Sequence, residues 1–259
     1  VLGLKEKEGI ADDIDAAGIG NIMHRVMEIL YKPFVGKDGL RYDYLENRLG
    51  MALDEAFKEM VGETGGGEQY LLKKMMFKQM KSYLAWERGH SNDTRRVVSV
   101  EETYVSDISR RDAETLRLKG KLDRIDCHDG VYEIIDYKSG KNIDAHAFKC
   151  FDRVLVDREE MRKVITSLQL PCYVLLYHEA NPDIPINKIN SKVRSLQACE
   201  EKMLFRDKDN IDREIFLKDI FLPTLMNLIN EIIDPCIPFA ADGDEKACRY
   251  CVFHVLCRK

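Results

Sequence analysis

The chain has 259 residues and a mass of 30.0 kDa; 45% of its residues are hydrophobic and 33% charged, and its 40 Lys and Arg against 45 Asp and Glu give a formal charge of −5. No apolar run approaches the roughly eighteen residues that cross a bilayer, and no signal-peptide pattern opens the chain, so a soluble, intracellular, cytoplasmic protein without a membrane partner is expected. The mild acidity argues against nucleic acid as a partner unless the charge is unevenly spread.

In chain order, a polar opening with Asp12, Asp13 and Asp15 precedes a helical pattern from Ile19 to Leu30, whose Ile19, Ile22, Met23, Val26, Met27 and Leu30 share one face. A second helix is predicted from Tyr44 to Met60. The glycines Gly65, Gly66 and Gly67 make a loop. A third helix is predicted from Gln69 to Arg88, with Leu72, Met75, Met76, Met80 and Tyr83 turned inward. Three β-rich runs follow, Val97 to Val105, Thr115 to Cys127 and Val131 to Tyr137. Then come a helix from Glu159 to Glu179 interrupted by Pro171, a strand pair around Lys188 to Phe205, a helix from Asp212 to Ile233 and an irregular tail from Pro235. This order predicts an α/β fold with a central mixed sheet flanked by helices. Because the first residue is Val1, the chain is expected to begin inside a longer gene product or after processing.

Asp129-Gly130 lies between two of the alternating runs and predicts a two-residue hairpin turn. That turn sets His128 against Val131 and Asp123 against Asp136, with Lys121 facing Lys138. Opposed residues on one face have Cβ atoms only about 5 Å apart, where like charges destabilise. Two explanations fit. A divalent cation such as Mg2+ or Mn2+, with its oxygen ligands, lies between the aspartates. Alternatively they are surface groups whose repulsion Lys121 and Lys138 relieve.

Eight cysteines divide unevenly. Cys127, Cys150, Cys172, Cys199 and Cys236 lack a ligand spacing, whereas Cys248, Cys251 and Cys257 form C-x2-C-x5-C. Thiolates so spaced suit an iron-sulfur cluster or zinc, with Cys236 or His254 able to complete the set; the alternative is three idle thiols.

The strings Gly120-Lys-Leu-Asp-Arg-Ile-Asp126 and Ile134-Ile-Asp-Tyr-Lys-Ser-Gly140, with Gln169-Leu-Pro-Cys-Tyr173 and Gly20-Asn-Ile-Met-His24, resemble the RecB-like branch of the PD-(D/E)XK nuclease superfamily, including AddB nuclease domains and RecB-like exonucleases. The resemblance implies a restriction-endonuclease-like core. It further implies that His24, Asp123, Asp136 and the Tyr137 carbonyl hold Mg2+ or Mn2+, and that Asp123, Asp136 and Lys138 are catalytic. Gln169 and Tyr173 would brace the site or touch DNA, and Glu28, one turn after His24, would support the ring unless it merely pairs on the surface. The domain is expected over residues 1–234, with a helical insertion at about 40–92, a catalytic core at about 95–205 and a metal-cluster tail at 235–259. In the family the tail supplies three ligands of a [4Fe-4S] cluster, the fourth coming from a cysteine ahead of the histidine motif. No cysteine precedes His24 here, so that ligand is expected in a missing upstream segment.

Charge is indeed uneven. Residues 1–68 carry 8 basic and 14 acidic side chains, and residues 69–96 carry 7 and 2. Lys74, Lys78 and Lys81, with Arg88, Arg95 and Arg96 beyond them, form a candidate phosphate track or a merely solvated helix face. Arg124 and Lys141 flank the proposed metal site and are the stronger candidates for gripping a DNA strand. Together these readings imply a metal-dependent DNA exonuclease acting at single-stranded or duplex ends, linked to a helicase domain or subunit and to recombinational repair. A non-catalytic DNA-binding module with a structural metal centre is the rival. No GxxxxGK[ST] loop is present, so ATP hydrolysis is not expected of this chain.

Overall fold

The structure, a computed structural model, describes residues 14–62, 67–91, 94–109, 115–143 and 148–238. Three helices come first: α1 (Ala16–Tyr31), α2 (Tyr42–Val61) and α3 (Gly67–Gly89). Asp15 caps α1, its side chain accepting from the Gly18 amide at 2.7 Å. The predicted apolar face of α1 is buried at Ile22, Met23, Val26, Met27 and Leu30. On α3, Met76, Met80 and Tyr83 are buried as expected, but Met75 is 61% exposed. Adjacent Met75 and Met76 lie about 100° apart on the helix, and the buried stripe of α3, narrower than that of α1, takes in only Met76.

Strands β1 (Arg96–Ser109), β2 (Thr115–His128) and β3 (Val131–Lys138) form an antiparallel meander. The β2–β3 turn has Asp129 at φ 50° and Gly130 at φ 74°, the positive pair that a tight hairpin requires. After β3 the chain crosses through α4 (Arg158–Val164) and α5 (Gln169–Ala180) to β4 (Ile189–Ser195), which pairs parallel with β3; β5 (Glu200–Met203) closes the edge antiparallel. The expected single helix over 159–179 is thus two, and Pro171 sits in the first turn of the second, where its missing N–H costs least. The last helical stretch runs through α6 (Arg213–Ile215), a π-helical turn at Phe216–Phe221 and α7 (Leu222–Ile233). Pro223 has no N–H for a regular bond to Asp219, and the wider turn precedes it.

The sheet, in the order β1-β2-β3-β4-β5, has a core on each side. Helices α1 to α3 pack on Val97, Ile135, Tyr137 and Leu196, and α5 and α7 pack over Leu122, Ile125, Ile134 and Val193. Gly120 lets α5 approach: a Cβ there would stand 2.7 Å from Leu176 Cδ1 and 3.4 Å from Tyr173 Cε1. Gly120→Val is therefore expected to cost about 1–3 kcal/mol, read from the urea midpoint. Gly120→Ala is expected to cost less, because Leu176 can turn aside.

Among the described residues, no helix is long and apolar enough to cross a membrane. Cys127, Cys150, Cys172, Cys199 and Cys236 carry free thiols. The expected ligands Cys248, Cys251, Cys257 and His254 lie outside the described residues.

Candidate metal centre and catalytic residues

The site forms where β2 and β3 part. Their ladder keeps the predicted register from His128↔Val131 to Arg124↔Ile135 and then stops, one step before Asp123 and Asp136. Instead of a backbone bridge there, the Tyr137 amide donates to Asp123 Oδ2 at 2.7 Å. The alternation of β2 also slips at this point, since Leu122 and Ile125 both enter the core under α5. Across from it on β1, Glu101 has φ 54°, a left-handed backbone that is uncommon for glutamate and costs on the order of 1–3 kcal/mol. The distortion turns Glu101 and Asp123 toward α1.

There they meet His24. Its Nδ1 lies 3.4 Å from Asp123 Oδ1 and 3.6 Å from Glu101 Oε1, and its Nε2 lies 3.0 Å from the Tyr137 carbonyl oxygen. Donor atoms of His24, Glu101 and Asp123 fall within 4.8 Å of one another. Burial works against a charged ring, but the hydrogen bonds and charges of Asp123 and Glu101 outweigh it and raise the His24 pKa to about 10. Two carboxylates and a carbonyl thus converge on a point that demands positive charge. Without a cation the imidazolium supplies it; a divalent cation suits the same set of donors, with His24 neutral.

Asp136 approaches from the α5 side and is 1% exposed. Its Oδ1 accepts from Gln169 Nε2 at 2.7 Å and from the Tyr173 hydroxyl at 3.4 Å. Lys138 Nζ forms an ion pair with Oδ2 at 2.9 Å. Burial, then the charge of Asp123, raises the Asp136 pKa to about 6 against the opposing pull of Lys138. A buried carboxylate beside a second carboxylate is the environment that a metal ion relieves, so the residues present fit a divalent cation.

Gln169 ties the two catalytic candidates together: its Oε1 accepts from Lys138 Nζ at 3.1 Å while its Nε2 donates to Asp136, with the Tyr173 hydroxyl 2.5 Å away. Gln169→Ala is expected to lower the rate of phosphodiester cleavage about 10–100-fold with the fold intact, the size typical of groups that orient ligands. Steady-state rates beside unfolding curves check it.

Three expectations need correction. Arg124, expected to grip DNA, has no exposure at all; its guanidinium lies over the Tyr31 ring at 4.1 Å and pairs with Glu87 at 2.5 Å and Asp126 at 2.7 Å. Proximity to Asp123 in sequence suggested access, but its partner on α3 draws it beneath the sheet. Arg95 is buried in the same cluster, near Asp126 and Glu87. Of the two readings of Glu28, the surface pair is the one observed: it pairs with Arg25 at 2.7 Å and Lys32 at 3.2 Å along its own helix. Lys121 does not lie against Lys138 but pairs with Glu101 at 2.5 Å. Lys141 is exposed in the loop after β3.

Sequence reasoning missed Glu101 and Glu87. Nothing in the alternation of β1 distinguished Glu101 from Glu102, because its role follows from a backbone distortion. Glu87 did leave a signal, a carboxylate four residues after Tyr83 and seven after Met80 on the buried stripe of α3.

A family profile described as the PD-(D/E)XK nuclease superfamily matches residues 1–258. No curated protein matches the chain.

Proposed function

The chain belongs to the PD-(D/E)XK nuclease superfamily, a family of metal-dependent nucleases acting on nucleic acid, and from that premise we propose that it is a Mg2+- or Mn2+-dependent deoxyribonuclease of the RecB-like branch. The observation that carries the reading is the convergence of His24, Glu101 and Asp123 at the point where β2 and β3 separate, beside the Asp136–Lys138 pair. His24, Asp123, Asp136 and the Tyr137 carbonyl would hold the metal, and Glu101 is placed to join them. When bound, the ion polarises the scissile phosphate and acidifies a water. Lys138, kept beside Asp136 by Gln169, holds a proton donor where negative charge grows on the phosphate. Tyr173 and Gln169 fix the Asp136 carboxylate through Oδ1, leaving Lys138 on Oδ2.

The motif resemblance supports the finer parts of the proposal: residues 1–234 as the nuclease domain, exonucleolytic action at DNA ends, a helicase domain or subunit as partner, a cytoplasmic role in recombinational repair, and Cys248, Cys251 and Cys257 as ligands of a [4Fe-4S] cluster or of zinc. The test is incubation of the protein with end-labelled single- and double-stranded DNA in Mg2+, in Mn2+ and in chelator. Cleavage in either metal and none in chelator is expected. Absence of cleavage in both metals, or equal cleavage in chelator, sinks the proposal.

A further inference from the structure

Helix α3 shows a strip that the described residues leave bare. Leu71 and Met75 are each 61% exposed, and Tyr70 beside them is 65% exposed. Leu71, Met75 and Gln79 succeed one another at four-residue steps, so they lie in one line along the helix. That line ends at the catalytic hairpin, where Gln79 Nε2 donates to the Ser139 carbonyl at 3.4 Å, one residue beyond Lys138. The neighbouring line carries Lys74, Lys78 and Lys81, all exposed. Lys74 sits over the Tyr70 ring at 5.3 Å, and neither Lys78 nor Lys81 pairs with a carboxylate among the described residues.

Exposed apolar side chains beside unpaired ammonium groups complement one kind of polymer. A duplex offers phosphates at its surface but keeps its base faces stacked inside, which leaves Leu71 and Met75 without contacts. An unpaired strand offers both, apolar base faces for the first line and phosphates for the second. Of the two acidic residues on α3, Glu87 is buried and held by Arg124 and Arg194, and Glu68 lies in the first turn, six residues before Lys74, so no acidic side chain stands among the three lysines on the helix.

We propose that the line Leu71–Met75–Gln79 and the flanking Lys74, Lys78 and Lys81 bind a single nucleic-acid strand and lead it to Lys138. The inference rests on the nuclease reading for its destination, but the binding it asserts can be measured separately.

The experiment uses the full chain with a dye-labelled oligothymidylate in chelator, its Kd followed by anisotropy between 50 and 200 mM salt. Replacing the three lysines together by Gln is expected to weaken binding about tenfold or more. The slope of log K against log salt should fall by about 2, because each phosphate that a lysine neutralises on a single strand adds roughly 0.7 to it. Leu71→Ser with Met75→Ser is expected to weaken single-strand binding about tenfold while leaving the salt slope and duplex binding as they were. In Mn2+, cleavage of the oligonucleotide by either variant should fall relative to hydrolysis of bis(4-nitrophenyl) phosphate, a diester too small to reach the strip. Circular dichroism confirms the helix content of each variant. Unchanged affinity and salt slope in the lysine variant overturn the proposal. So does loss of self-association without loss of strand binding, which marks the strip as a protein contact. If the unaltered protein hydrolyses neither substrate, the nuclease reading fails while the anisotropy result still decides this one.

Discussion

Asp136→Asn is expected to abolish metal-dependent cleavage and, in chelator, to make the protein harder to unfold. The activity loss should be at least about 10^3-fold, on the order of 4 kcal/mol of transition-state stabilisation, since the substitution removes the carboxylate charge that the metal would meet. The stability gain has a different origin. Asp136 is a buried carboxylate whose pKa is raised to about 6 by burial and by Asp123, so its ionised form opposes folding. An acid with a raised folded pKa carries no penalty below its unfolded value of 3.8 and the full penalty above about 6. Asn should therefore gain about 1–3 kcal/mol at pH 7.5 and nothing near pH 3.5, the absence of the Lys138 ion pair trimming the gain. Urea unfolding of both proteins at the two pH values, beside cleavage of labelled DNA, measures each side. An active Asn variant removes Asp136 from the catalytic set, and an inactive but destabilised one would falsify the view that the site holds stored repulsion.

Glu87→Ala is the substitution expected to damage the fold most. Glu87 is fully buried on α3 and receives Arg124 at 2.5 Å, Arg194 at 2.6 Å and the Tyr31 hydroxyl. Arg194 also pairs with Glu201 at 2.9 Å, and Lys192 joins the cluster through Glu133 at 2.8 Å. Removing the central carboxylate leaves two guanidinium groups in a dry core with too few acceptors, a loss of about 3–5 kcal/mol. Against a typical total of roughly 5–15 kcal/mol this is a large share. Glu87→Gln, which keeps the acceptor oxygen, is expected to lose less. Burial opposes ionisation of Glu87, but the charges of Arg124 and Arg194 prevail and lower its pKa to about 2. An acid with a lowered folded pKa stabilises above its unfolded value of 4.5 and loses that contribution as pH falls toward about 2. The gap in stability between the parent and Glu87→Ala should therefore narrow on acidification. A urea midpoint for Glu87→Ala within about 1 kcal/mol of the parent would mean that the cluster is not what fixes α3 to the sheet.

Much of the fold was legible because it is written in local periodicity. The alternating runs and Asp129-Gly130 specified the β2–β3 hairpin and its register, since a period of two and a turn with two positive φ angles leave little freedom. The apolar face of α1 and the approximate span of each long helix followed for the same reason. Of the candidate site, Asp123 and Asp136 are proposed from the hairpin alone, and His24, Lys138, Gln169 and Tyr173 from motif order.

Only the tertiary structure decided which side chains those backbone positions deliver to which neighbours. Arg124 follows Asp123 directly in sequence, yet Asp123 meets His24 while Arg124 is held by Tyr31, Glu87 and Asp126 with no exposure. Glu101 enters the site through a strained backbone that no residue pattern announces. Met75 stays outside although its hydrophobicity assigned it inward. For Arg124 and Glu101 the deciding term is a contact between segments far apart in the chain, Glu87 with Arg124 and Glu101 with His24. Local sequence fixes secondary structure because its energies act within a few residues. Buried charge is placed by partners that meet only when helices and sheet have packed, because a charge taken from water must find its complement wherever the fold brings one.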